Sequence, residues 1–312
     1  MSSHPLRILS HFPLGLLAPL RERFPDIAVE VVPEEGALEP GLVGDVLLTQ
    51  AWGSPNLGAL LRCGVRWVHA YGTGVNAFPF AELGDVPLTC SRGASATPIS
   101  EWVMAMLLAA EKRLPDVWIE EAPERWNRFD LGGLDGRTLG LLGFGGIARA
   151  TAERALPFGM RVLAHRRSTQ PSDLDGVEIV SFDALLAEAD HLVVAAPYTP
   201  ATRGLLGQDT FARIKEGVHL INVARGGLVD QDALRAALDS GRVALASLDT
   251  VTPEPLPAGH WLYTHPRVRL SPHCSWNGPG ALDRLLDPFL ENLTHFLNDE
   301  PLAYRVDVEQ GY

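Results

Sequence analysis

At 312 residues, with a formal net charge of −12, 46% hydrophobic and 21% charged residues, the chain has room for two domains with separate cores. So acidic a balance argues against a nucleic-acid backbone or an anionic membrane surface as partner, while local arginines could still take a small anion. Cys63, Cys90 and Cys274 are odd in number and widely spaced, with no C-x-x-C, so reduced thiols are expected rather than a disulfide framework or a zinc site.

The chain opens MSSHPLRIL, without the charged n-region and apolar h-region of a secretory segment. The longest apolar run, 102–110, is about half the length a membrane helix needs. A soluble cytoplasmic protein with no membrane partner is the expectation. Strand-like runs at 6–9, 27–32, 45–49, 67–71 and 88–90 alternate with looser helical patterns, which implies βα units and a parallel sheet. Within them the loop Tyr71-Gly72-Thr73-Gly74-Val75-Asn76 follows a strand directly. Its amides suit an anion nest and equally suit a plain turn. A helix is predicted over 95–114, with Pro98 early, Glu101 in the first turn and Lys112-Arg113 near the end. The polar, Trp- and Pro-containing segment 115–136 reads as a boundary.

Residues 138–168 carry the strongest local signal. An apolar strand at 139–144 breaks into Gly143, Gly145 and Gly146, then a helix with Ile147, Thr151, Ala155 and Phe158 on one face, Gly159, and a second strand at 160–165. This is the setting of the G-x-G-x-x-G/A dinucleotide fingerprint, with Ala148 in the third place. Gly143 permits the sharp exit, Gly145 a close approach to pyrophosphate, and the helix N-terminus faces the phosphates. About twenty residues on, where an acid would hold the ribose 2′-OH of NAD, stand Arg166, Arg167 and Ser168. Arginines there suit a 2′-phosphate, so NADP(H) is the expected cofactor, with NAD(H) as an alternative.

Further strands are predicted at 177–180, 191–195, 218–223, 244–248 and 268–270, with helices at 182–188, 207–213, 231–240 and 280–298. The tail 302–312 is expected to pack on the first domain. Just beyond three of these strands stand Arg225, Glu254 and His273, where an open parallel sheet places its ligands. Each has a plain alternative: a surface ion pair, a helix-start acid, or one of ten histidines without a role.

The stretches 72–75, 139–148, 196–204, 221–230, 248–250, 254–256 and 271–273 together resemble the D-isomer-specific 2-hydroxyacid dehydrogenases. That resemblance implies an α/β fold of two doubly wound parallel-sheet domains, a Rossmann-type cofactor domain (98–284) inserted in a flavodoxin-like substrate domain (1–97 and 285–312). It also implies a cleft that closes by hinge motion and a homodimer. The implied activity is reduction of a small 2-oxo acid, glyoxylate or hydroxypyruvate in type, to the D-2-hydroxy acid. The implied roles are Arg225 on the substrate's carboxylate and keto oxygen, His273 as general acid, and Glu254 as its partner. A neighbouring carboxylate favours the imidazolium, which agrees with that division. By the same resemblance, Gly72, Thr73, Gly74 and Val75 cradle the substrate carboxylate, Asp249 holds the nicotinamide carboxamide, and Pro197, Thr199 and Ala224 line the cofactor. No metal is implied.

Two departures stand out. The basic run at 165–168 resembles the NADPH-using glyoxylate and hydroxypyruvate reductases, and Cys274-Ser275-Trp276-Asn277 replaces the small residues usual after the histidine. Neighbours in an extended segment point opposite ways, which argues against a Cys274–His273 nucleophile. The competing readings are a dinucleotide-sensing interaction protein of corepressor type and a formate or phosphite oxidoreductase; Glu254 stands where formate enzymes carry Gln. Hydrolase and kinase readings fail for want of G-x-S-x-G or G-x-x-x-x-G-K-[ST].

Overall fold

The computed structural model describes residues 6–126 and 129–312, and the chain divides into two compact units. Unit 1 comprises Met1–Ser95 and Gly278–Tyr312, and unit 2 comprises Ala96–Asn277. The divisions fall at 95/96 and 277/278, beside sequence-based expectations of 97/98 and 284/285. The helix that follows Ser95 lies wholly in unit 2, and Gly278 and Pro279 lead into the C-terminal helix of unit 1.

In unit 1 a five-stranded parallel sheet has the order β2-β1-β3-β4-β5, from Arg7–Ser10 (β1), Ala28–Val31 (β2), Val46–Gln50 (β3), Trp67–Tyr71 (β4) and Leu88–Cys90 (β5). This is the flavodoxin-like order. Because strand side chains alternate, Ile8, Val46, Leu48 and Trp67 meet Leu286, Phe289 and Leu293 of the C-terminal helix Ala281–Leu297. Leu9, Leu47 and Val68 meet Leu57 and Leu60 of the short helix Leu57–Leu61. Trp67 stacks on Phe289 with ring centroids 5.2 Å apart. The tail lies antiparallel along β5, Val306 N donating to Leu88 O and Cys90 N to Tyr304 O.

A polar chain runs through this core. Ser91 Oγ spends its one hydrogen on Leu285 O at 2.7 Å, so it can only accept from His69 Nε2 at 3.3 Å. The neutral ring's Nδ1 then accepts from Thr89 Oγ1 at 2.7 Å, and Thr89 Oγ1 accepts from Trp67 Nε1 at 2.9 Å. Burial pushes the His69 pKa down to about 3, which keeps the ring neutral.

Unit 2 holds a seven-stranded parallel sheet built from Thr138–Leu142 (β6), Arg161–His165 (β7), Val177–Ile179 (β8), His191–Val194 (β9), Val218–Asn222 (β10), Val243–Leu248 (β11) and Val268–Leu270 (β12). The order β12-β11-β10-β9-β6-β7-β8 reverses between β6 and β9, which makes that point the topological switch. One face packs Val103 and Leu107 of the helix Ala96–Glu111, with Ala148 and Ala152 of Gly146–Ala155, on Leu139, Leu141, Val193 and Ile221. The other packs Leu185, Leu186, Phe211, Leu234 and Leu238 on Leu192, Val194, Leu220 and Ala246. The helix Gln231–Asp239 is capped by Asp230, whose Oδ1 accepts from the amides of Asp232 and Ala233, both at 3.0 Å.

Two buried histidines share the helix-96–111 side of this sheet. His191 Nδ1 lies 3.2 Å from His219 Nδ1, His219 Nε2 lies 2.9 Å from Ser247 Oγ, and His191 Nε2 lies 3.2 Å from Glu111 Oε1.

Three local expectations are corrected. The fingerprint helix buries Ala148, Thr151, Ala152 and Ala155, but Phe158 is exposed, because the helix tightens at Leu156–Phe158 before Gly159 takes a left-handed turn. The strand before it stops at Leu142, since Gly143 already adopts φ +92°. The predicted helix 95–114 ends at Glu111. The boundary segment 115–136 includes positions 127–128, outside the described residues, and it exposes Trp118, Ile119, Trp126, Phe129 and Leu131. Among the described residues no helix is long and apolar enough to cross a membrane, and no cluster of His, Cys, Asp and Glu could hold a metal.

Candidate active site

Six strand ends of unit 2 carry every residue singled out above except the loop 72–75. At the end of β6, a Cβ on Gly143 would lie 2.8 Å from the backbone of Ala195 and Ala196, so only glycine permits the turn. A Cβ on Gly145 would meet nothing within 4 Å, which leaves open space before the helix that Gly146 and Ile147 begin. The unpaired amides of that first turn suit a pyrophosphate.

Beyond β7, Arg166 Nη2 donates to the carbonyls of Gln170 (2.9 Å) and Pro171 (3.1 Å), and its guanidinium lies 5.9 Å from the Phe144 ring. Its Nε is buried with no hydrogen-bond partner among the described residues, while Arg167 and Ser168 are exposed. Asp173, the first acid after the strand, is taken by Arg149 at 2.7 Å, and that bond holds its carboxyl below the usual range. A turn only glycine permits and open space before a helix N-terminus fit a dinucleotide's pyrophosphate. After β9, Pro197 and Thr199 form a tight turn in which Thr202 Oγ1 accepts from Thr199 N (2.8 Å) and donates to Pro197 O (2.7 Å).

At the end of β10, Asn222 shapes the next turn, its Nδ2 donating to Arg225 O and its Oδ1 accepting from Ala224 N. An Asn closing a strand is a turn signal that the predicted strand 218–223 ran through. Arg225 donates from Nη1 to Ala224 O at 2.7 Å. Burial pulls its pKa down and Glu254 opposes that shift, so the carboxylate is near enough to favour the charged guanidinium. Gly226 lets this turn touch the next, since a Cβ there would fall 2.0 Å from Val251 C.

Glu254 Oε1 accepts from Val251 N at 3.0 Å, and its Oε2 lies 2.7 Å from His273 Nδ1. A carboxylate can only accept, so Nδ1 carries a hydrogen and Nε2 is the free edge of the ring. The structure thus brings Arg225, Glu254 and His273 together, with both His273 and Glu254 side chains 37% exposed.

His273 takes φ 51°, a left-handed conformation that costs a non-glycine residue about 1–2 kcal/mol. The extended-segment argument about Cys274 therefore does not apply. Burial and Asp249 instead push the Cys274 thiol up, away from a reactive thiolate. Asp249 is 1% exposed; its Oδ1 accepts from Ser271 Oγ (2.6 Å) and Cys274 N (2.9 Å), and its Oδ2 from Ser275 N (3.0 Å). Burial alone would raise its pKa, but these bonds outweigh it and hold the carboxyl below the usual range. Trp276 Nε1 donates to His273 O at 3.0 Å.

The loop 72–75 belongs to unit 1. Gly72 N donates to Ser91 Oγ, Thr73 Oγ1 donates to Ser91 O, and Val75 is 2% exposed. The amide of Gly72 and the side chain of Val75 are thus committed internally, and the anion-nest reading rests on Thr73 and Gly74.

Residues 104–275 match the NAD binding domain of the D-isomer specific 2-hydroxyacid dehydrogenases. Glyoxylate/hydroxypyruvate reductase A of Serratia proteamaculans is 31% identical over 95% of both chains. Hydroxypyruvate reductase of Thermotoga maritima is 37% identical over 52% of this chain and 54% of its own, so the shared part is about half of that protein. Among solved structures, a D-isomer specific 2-hydroxyacid dehydrogenase from Xanthobacter autotrophicus Py2, in complex with NADPH and MES, superposes with a TM-score of 0.87 at 26% identity, covering 99% of this chain and 100% of that one. An NADPH-dependent glyoxylate/hydroxypyruvate reductase from Sinorhizobium meliloti, in complex with NADP and sulfate, gives 0.83 at 25% identity, with the same coverage.

Proposed function

This chain belongs to the D-isomer-specific 2-hydroxyacid dehydrogenase family, and from that premise we propose that it reduces a small 2-oxo acid to the D-2-hydroxy acid with NADPH. The observation that carries the reading is the His273–Glu254 contact of 2.7 Å in the same strand-end cluster as Arg225. Bound NADPH supplies the hydride. Arg225 pairs its planar fork with the substrate's carboxylate and keto oxygen. His273 gives the proton on Nε2 to that oxygen as charge develops there, and Glu254 stabilises the imidazolium through Nδ1. In unit 1, the backbone amides of Thr73 and Gly74 suit an anion. Gly143, Gly145, Gly146 and Ile147 hold the pyrophosphate, and Arg166, Arg167 and Ser168 the 2′-phosphate. Pro197, Thr199, Ala224 and Asp249 line the nicotinamide half.

The exposed apolar side chains at 118, 119, 126, 129 and 131, close in sequence, support a homodimer as surface it would cover. Three unpaired cysteines agree with a cytoplasmic setting.

The test is a panel of 2-oxo acids, glyoxylate and hydroxypyruvate first, followed by loss of reduced-nicotinamide absorbance with NADPH and with NADH. His273→Ala should lower kcat by about 10²- to 10⁴-fold while NADPH still binds. Near-parental turnover in that variant would remove His273 from the mechanism. NADPH binding with no turnover on any acid would favour the sensor reading.

A further inference from the structure

We propose that Asp249 and Trp276 are positioning residues that fix the backbone on both sides of His273 and so hold its imidazole on Glu254. The proposal rests on the reading of His273 as proton donor and adds how the ring is kept in place.

The His273 side chain is only partly covered, at 37% exposed, so the direction of its Cα–Cβ bond matters for where the imidazole lies. That bond is set by a backbone angle of 51°, which a residue with a ring seldom adopts unless its surroundings over-determine it. Here they do. The carbonyl of His273 is taken by the indole N–H of Trp276 at 3.0 Å. The next two amides, of Cys274 and Ser275, both donate to the Asp249 carboxylate. Ser271 is tied on the other side, its hydroxyl to Asp249 and its amide to Leu248 O. Asp249 is itself anchored, buried at the end of β11 with its amide on Asn222 O. The Trp276 ring packs on the apolar layer beneath, so its N–H is a fixed donor. Released from these bonds, the segment would relax to negative φ and swing the ring off Glu254.

A Trp276→Phe variant keeps most of the apolar ring and loses only the N–H. In the full-length protein it should lower kcat about 3- to 10-fold, the range of one lost hydrogen bond, with KM for NADPH and for the 2-oxo acid unchanged. Asp249→Asn, which turns an acceptor into a donor facing an amide, should lower kcat further. Because both side chains act on one short segment, the double variant should be little slower than Asp249→Asn alone, whereas independent effects would multiply. The hydride-transfer rate in a single turnover should fall with kcat. Parental kcat in Trp276→Phe overturns the proposal, even if Asp249→Asn fails to fold. A rise in KM for NADPH at constant kcat in Asp249→Asn also overturns it and leaves Asp249 with a cofactor contact alone. Full activity in His273→Ala is a different result, since it would remove the reading beneath the proposal.

Discussion

Lowering the pH should destabilise unit 2 through His219. Its ring is 4% exposed, and burial, followed by the neighbouring His191, pushes its pKa down to about 3 from 6.5. Between those values the unfolded chain binds a proton that the folded chain refuses. The contribution to stability is therefore complete above the unfolded pKa near 6.5 and is lost as the pH falls toward 3. At about pH 4.5 the gap is roughly two pH units at about 1.4 kcal/mol each, or about 3 kcal/mol, against a total of about 5–15 kcal/mol for a folded domain. His191 is lowered in the same direction by burial, opposed by Glu111 and Asp190 and assisted by Arg137. Against the effect of burial, Lys215 and the amide of Thr138 hold Asp190 below the usual carboxylate range. Urea midpoints measured from about pH 7 to 4.5 on the parent and on His219→Asn would isolate the effect. Whatever the substitution costs at neutral pH, it should flatten the dependence by roughly 1.4 kcal/mol per pH unit between about pH 4.5 and 6. Coincident slopes would refute the reasoning.

Two further outcomes follow from the cofactor side. Arg166→Asp should shift the NADPH-to-NADH ratio of kcat/KM toward NADH by about 10- to 100-fold, the worth of one charge-assisted hydrogen bond; an unchanged ratio would count against Arg166 as phosphate ligand. Gly143→Ala must place a Cβ 2.8 Å from the backbone of Ala195 at φ +92°, so it should abolish dinucleotide binding in a nicotinamide fluorescence titration. Parental affinity there would show that the turn can open at little cost.

What could be read in advance was whatever depends on near neighbours. The buried strands are short apolar runs, and the fingerprint unit of strand, glycine turn, helix and strand fills about thirty consecutive residues, so both were visible one after another. Phe158 misled because periodicity continues past the point where a helix tightens to meet its capping glycine. The support of His273 was out of reach for another reason: Asp249 meets Ser275 across 26 residues, and nothing in either neighbourhood announces the meeting. The left-handed backbone at His273 carries no local mark either. Likewise the donation from Ser91 to Leu285 spans 194 residues, and Ser91 looks like any serine after a strand.

The stacking of Trp67 on Phe289 has a consequence for biogenesis. On the ribosome, residues 96–277 emerge between the strands of unit 1 and the helix that covers them, so unit 2 is complete while Trp67 still lacks its lid. The sheet begun first is thus the last to be roofed, and until Phe289 emerges part of its apolar face stays open to chaperones.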